Sequence, residues 1–168
     1  MRNKIYLIGS MGSGKTTIGK MLASKLHLPF IDIDKKIEQK EKMVISDIFK
    51  ENGENYFRKI ESDILTKYSA FNEFVISTGG GAVLSQDNKK ILNNGYKIYL
   101  KISIDAQYNR VKHRKHRPLL IEGDLKTILK DLDEVRGVIY SDLADLVVDV
   151  SYLDKEDVLS SIMNQIEN

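Results

Sequence analysis

Gly9-Ser10-Met11-Gly12-Ser13-Gly14-Lys15-Thr16 reads G-x-x-x-x-G-K-[ST], a spacing in which each residue type has a physical task. The glycines let backbone amides turn inward as a nest of N–H donors around phosphate oxygens. Lys15 adds a cation that follows the outermost phosphates, and the Thr16 hydroxyl is suited to ligate a Mg²⁺ bridging two of them. The flanks agree. Lys4-Ile5-Tyr6-Leu7-Ile8 is an apolar run of strand length, and Ile18, Leu22 and Leu26 give Lys15–Leu26 a helical period. Strand, glycine turn and helix N-terminus in succession aim a helix dipole at an anion, so the stretch predicts an α/β domain that binds a nucleoside triphosphate.

The rest of the composition narrows the class. A chain of 168 residues has the length of one domain, and 42% hydrophobic with 30% charged residues is ordinary for a globular one. Twenty-six basic and 24 acidic residues leave a net charge of +2, a balance that argues against general nucleic-acid binding. The absence of cysteine excludes disulfides, thiolate metal sites and a cysteine nucleophile. Three scattered histidines make no transition-metal site. Met1-Arg2-Asn3-Lys4 runs straight into the first strand, which leaves no room for a signal peptide, and no apolar run has the ~20 residues that span a bilayer. The expectation is a cytoplasmic domain without a membrane anchor.

Five strand candidates, Lys4–Ile8, Pro29–Ile33, Phe74–Ser77, Lys97–Ile102 and Leu146–Val150, alternate with helical stretches. That alternation implies right-handed βαβ crossovers and a mostly parallel sheet covered on both faces. Ile128, Leu132, Val135 and Ile139 form one apolar helical stripe, and Val158, Leu159, Ile162 and Ile166 another; both are read as core. No repeat or linker divides the chain, so residues 1–168 make one domain. Two segments stand apart from the alternation. Residues 34–68 are a helical insertion interrupted at Asn52-Gly53, and residues 110–124 are strongly basic and poor in core positions. In open α/β sheets ligands sit at the carboxyl ends of the strands, where the insertion would form a substrate site and the basic segment a lid.

Asp32 and Asp34 end the second strand. Near a Mg–nucleotide they suit metal holding and acceptance of a proton from an attacking hydroxyl; the plainer reading is Asp34 as N-cap of a helix starting at Lys35. Ser77-Thr78-Gly79-Gly80-Gly81 follows the third strand, where bare backbone lets a ligand reach N–H groups and where a Walker-B acid is missing. The metal therefore turns to Asp32. Arg58 offers a planar fork for a carboxylate, or an intrahelical partner for Glu61 at i+3; Arg136 poses the same choice. Arg110, Lys112, Arg114, Lys115 and Arg117 place five basic side chains within eight residues. They suit a lid over transferring phosphates, a solvated loop or, with no interleaved aromatics, least of all a nucleic-acid patch.

Taken together these residues resemble the shikimate kinase family, in the nucleoside-monophosphate-kinase branch of phosphate-loop folds. The matching pieces are residues 9–16, Asp32-x-Asp34, Gly53-Glu54-x-x-Phe57-Arg58-x-x-Glu61, Gly79-Gly80-Gly81, Arg117-Pro118-Leu119-Leu120 and Arg136-x-x-x-Tyr140-x-x-x-Ala144-Asp145. The resemblance implies a three-layer α/β/α domain with a five-stranded parallel sheet of order 2-3-1-4-5. It implies that Asp34 with Gly79, Gly80 and Gly81 holds the hydroxyl side of shikimate, and that Arg58 and Arg136 clamp its carboxylate. By the same resemblance Gly12, Ser13, Gly14, Lys15, Thr16 and Thr17 cradle ATP, and Arg110 packs against adenine. Thr16 and Asp32 hold Mg²⁺, while Lys15, Asp34 and Arg117 serve catalysis. Thr16 stands where many members have serine, Ser10 where an aromatic is common, and Ser151–Lys155 matches nothing in the family's adenine pocket.

The activity implied is transfer of the ATP γ-phosphoryl group to the 3-hydroxyl of shikimate, by a monomer whose partners are ATP and shikimate. A kinase for another small hydroxy acid such as gluconate, or a non-catalytic nucleotide switch, shares the phosphate loop. Neither calls for Asp34, Arg58, the glycine triplet and Arg136 together.

Overall fold

A computed structural model describes residues 3–113 and 124–166 of the chain. Its strands are β1 (Lys4–Ile8), β2 (Phe30–Asp32), β3 (Phe74–Ser77), β4 (Tyr96–Lys101) and β5 (Leu146–Asp149). They pair in parallel in the order β2-β3-β1-β4-β5, the order that the resemblance implies. Helices α1 (Lys15–Leu26), α2 (Ile33–Glu41), α3 (Ile45–Ser69), α4 (Gln86–Leu92), α5 (Ile104–Val111), α6 (Leu125–Leu143) and α7 (Lys155–Ile166) make the crossovers.

Alternate strand residues face opposite layers, and both layers are dry, as a parallel sheet requires. Ile5, Leu7, Val75, Ile98 and Leu100 pack on Ile18 and Leu22 of α1 and on Val158 and Ile162 of α7. Tyr6, Ile8, Ile31, Phe74 and Ile76 pack on Ile60, Ile64 and Leu65 of α3. A third, small cluster joins Met11 of the phosphate loop to Val111 at the end of α5 and Leu129 in α6.

The end of β2 differs from expectation, for a local reason. β2 stops at Asp32, not Ile33, because Asp32, the last residue of the ladder and paired with Ser77, is also the N-cap of α2, its Oδ1 accepting from the Lys35 amide at 3.2 Å. The capping residue is thus Asp32, and Asp34 lies within the first turn. The insertion is α2 followed by α3, broken where anticipated. Gly53 has φ 80° and ψ 171°, and a Cβ there would meet nothing within 4 Å, so the positive φ alone asks for glycine.

The expected stripe on α6 is wrong by part of a turn. Val135 is 60% exposed, and the buried face carries Leu129, Arg136 and Tyr140, with Ile128, Leu132 and Ile139 only half-buried. α6 turns a polar-tipped face inward because it walls a cleft as well as a core. The α7 stripe holds: Val158, Ile162 and Ile166 are buried and Leu159 packs beside them.

Candidate active site

The phosphate loop leaves β1 with left-handed backbone at Gly12 (φ 78°) and Gly14 (φ 94°), conformations that side chains resist. Lys15 curls back over it, Nζ donating to the carbonyls of Gly9 at 2.7 Å and Ser10 at 2.9 Å. Thr16 Oγ1 donates to Asp32 Oδ2 at 2.6 Å, so one carboxylate both caps α2 and faces the hydroxyl at the start of α1.

A cavity of about 590 Å³ opens over this loop and runs to Arg110, Val150, Leu153 and Lys155. Arg110 donates through Nη2 to the Val150 carbonyl at 2.6 Å and through Nη1 to that of Gly12 at 3.3 Å, tying the loop after β5 to the phosphate loop. Leu153 and Lys155 come from the stretch in which sequence reasoning found no signal. A residue in an irregular loop and the first residue of a helix, such as Leu153 and Lys155, make no motif.

A second cavity, about 300 Å³, lies between the carboxyl ends of β2 and β3 and the helices α3 and α6. Phe49 and Phe57 wall it, their rings 4.6 Å apart. Arg58 lines it and also makes the intrahelical bond the sequence offered: Nη1 to Glu61 Oε2 at 2.7 Å, with Nη2 to Glu54 at 3.1 Å. Burial pulls the Arg58 guanidinium down, but the two carboxylates outweigh it and hold it above its ordinary value. Glu61 is fully buried. Burial pushes its carboxyl above the usual range, Arg58 opposes this, and the nearby Asp34 charge adds to the upward shift.

Two buried polar atoms at this cavity have no hydrogen-bond partner among the described residues: Glu61 Oε1 and Arg136 Nε. Arg136 is only 8% exposed. Groups left so in a dry setting mark a site that a ligand or water completes. The glycine triplet is shaped by the same neighbours. A Cβ on Gly79 would sit 2.2 Å from Glu61 Oε1 and 3.0 Å from Asp34 Oδ1, and one on Gly81 would sit 2.4 Å from the Arg58 guanidinium. A tight turn alone would not ask for this.

The residues singled out from sequence therefore fall into two adjoining cavities, with Thr16, Asp32, Asp34 and Gly80 lining both. Arg117 lies outside the described residues. Sequence reasoning passed over Glu61 as a site residue, seeing only a partner for Arg58. It also passed over Tyr140, whose hydroxyl donates to the Gly80 carbonyl. For Glu61 a signal was present, since it shares the apolar face of Phe57, Ile60 and Ile64 on α3.

Comparison with known proteins gives one answer. The family model described as shikimate kinase matches residues 11–167. A shikimate kinase of Pasteurella multocida (strain Pm70) is 40% identical over 99% of this chain and 97% of its own length. One from Haemophilus influenzae (strain PittEE) is 37% identical over 99% and 94%. Among solved structures, shikimate kinase from Acinetobacter baumannii in complex with shikimate superposes with a TM-score of 0.96 at 33% identity, covering 99% of this chain and 94% of that one. A gluconokinase from Sinorhizobium meliloti 1021 shares the fold alone, with a TM-score of 0.59 at 16% identity over 99% of this chain and 92% of that one.

Proposed function

The chain belongs to the shikimate kinase family, and from that premise we propose that it transfers the γ-phosphoryl group of ATP to the 3-hydroxyl of shikimate, giving shikimate 3-phosphate and ADP. The observation that carries the reading is the buried, unpartnered Arg136 Nε in a small cavity that also holds Arg58 and adjoins the phosphate loop. Two guanidinium forks suit a carboxylate, and Asp34 with Gly79, Gly80 and Gly81 suits the hydroxyl side of the ring.

Phosphoryl transfer of this kind rests on positioning and charge stabilisation. Arg58, steadied by Glu61, and Arg136 fix the acceptor by its carboxylate. Asp34 orients the 3-hydroxyl and accepts its proton as the new P–O bond forms. Lys15 offsets the negative charge that spreads over the transferring group, a task the resemblance also gives to Arg117, and Arg110 packs the adenine. The hydroxyl of Thr16 and the carboxylate of Asp32 are hard oxygen donors 2.6 Å apart, a pair that fits Mg²⁺ completed by phosphates and water. Bound there, Mg²⁺ would neutralise phosphate charge. We take residues 34–68 as the acceptor-binding insertion and 110–124 as the lid of a single domain.

The deciding experiment incubates the protein with ATP, Mg²⁺ and either shikimate or gluconate and follows ADP release. Turnover that depends on shikimate supports the reading; its absence, or turnover with gluconate instead, refutes it. Arg136→Ala is expected to lose about 3 kcal/mol of transition-state binding, roughly 150-fold in kcat/KM, with ATP KM nearly unchanged. No helix among the described residues is long and apolar enough to cross a membrane. A cytoplasmic monomer is the accompanying proposal, checked by light scattering.

A further inference from the structure

We propose that Tyr140 is a positioning residue for the acceptor, its hydroxyl locking the Gly80–Gly81 peptide in the orientation that the hydroxyl side of shikimate requires; this rests on the cavity being the shikimate site.

Three consecutive glycines carry no side chain to hold them, and their backbone has the widest conformational freedom a chain offers. What fixes them is the engagement of their carbonyls. The Gly79 carbonyl accepts from the Ala82 amide at 3.2 Å and that of Gly81 from the Leu84 amide at 3.0 Å, both within the short turn that follows. The Gly80 carbonyl is held differently, by the Tyr140 hydroxyl from a helix 60 residues further on. The peptide is trans, so its N–H points opposite to its C=O, and holding the Gly80 oxygen fixes where the Gly81 amide points.

Tyr140 is well built for this. It is fully buried, and its ring lies against Tyr99 of β4 with centroids 5.0 Å apart and planes at 33°, so the sheet sets where the hydroxyl sits. Arg136 precedes it by four residues on the same face of α6, about 6 Å along the axis. One helix thus presents both the carboxylate clamp and the peptide lock, at a spacing set by helical geometry. Burial pushes the Tyr140 hydroxyl up to about 12, against smaller downward pulls from Arg136 and Ser10, so it remains a donor at working pH.

Tyr140→Phe removes the hydroxyl and keeps the ring. Tyr99→Phe is the control, because it also removes a hydroxyl at the same stacked pair, while the atoms nearest Gly79, Gly80 and Gly81 belong to other residues. Tyr140→Phe is expected to raise shikimate KM about tenfold while ATP KM stays within about twofold, with Tyr99→Phe changing neither. Amide exchange of Gly81, followed by NMR without ligand, is expected to be about tenfold faster in Tyr140→Phe. This second measurement reads the lock independently of turnover, so a failure of shikimate dependence in the unaltered chain refutes the functional reading and not the lock. Unchanged exchange, an unmoved shikimate KM, an equal rise in both KM values, or a Tyr140→Phe protein that does not fold would each make the hydroxyl a merely structural group and overturn the proposal.

Discussion

Arg58→Ala and Glu61→Gln remove the two halves of one ion pair, and the structure predicts very different costs. Glu61 is fully buried, and Arg58 is its one charged hydrogen-bond partner among the described residues. Deleting the arginine strands a carboxylate in a dry site, a change worth about 3–5 kcal/mol. In a chain of this size that lowers Tm by about 10 °C. Deleting the Glu61 charge leaves Arg58, whose side chain is 23% exposed, with Glu54 at 3.1 Å and access to water. That change costs under about 1 kcal/mol.

The asymmetry carries a pH signature. Burial already raises the Glu61 carboxyl, and Arg58 is the largest influence opposing that rise, so Arg58→Ala sends it further up. The unfolded carboxyl ionises near its ordinary value while the folded one keeps its proton. Stability therefore falls as pH rises between the two values, by up to about 1.4 kcal/mol per unit, and is regained on acidification. Urea unfolding of both variants between pH 5 and pH 8 reads this directly, since their difference cancels groups common to both. Equal losses in the two variants, or a gap that does not narrow toward pH 5, would refute the argument that Glu61 is a buried charge dependent on Arg58.

Three further outcomes are expected. Gly79→Ala drives a Cβ to 2.2 Å from Glu61 Oε1 and should raise shikimate KM at least about tenfold with ATP KM unmoved, by steady-state kinetics. Asp32→Asn keeps a capping side chain for α2 but loses the anionic oxygen beside Thr16. It should cut kcat about 100-fold and shift the Mg²⁺ requirement upward with Tm nearly constant, and an unchanged Mg²⁺ titration would remove Asp32 from the metal site. Val135→Lys, at an exposed position of α6, should change stability by no more than about 0.5 kcal/mol in thermal unfolding; a large loss would restore the apolar stripe expected from sequence.

That stripe shows where sequence reading stops. The five strands and α1 were legible because apolar runs and the glycine loop are local signals, and each strand lies within two residues of its expected place. Hydrophobic periodicity ranks Val135 above Arg136, yet a helix facing a polar cleft buries long side chains with polar tips and leaves valine outside. The Glu61 environment depends on what α6 and the glycine triplet bring from far along the chain. The Tyr140 hydroxyl has its acceptor 60 residues away, and no pattern within a helix announces that. The roles of the acceptor residues come from the resemblance; spacing alone leaves Arg58 equally a partner for Glu61 on its own helix.

Thr16, Asp32, Asp34 and Gly80 are lining residues of both cavities, so the place proposed for a phosphate chain and the place proposed for an anionic ring adjoin across four shared residues. For ligand design the two are neighbouring sites with a common border. The design this adjacency suggests is a molecule that joins a carboxylate-bearing ring to a short polyphosphate through a linker, one end for each cavity. Once either end is seated, the other is held near its own site at an effective concentration in the millimolar range, so even two weak fragments reinforce each other.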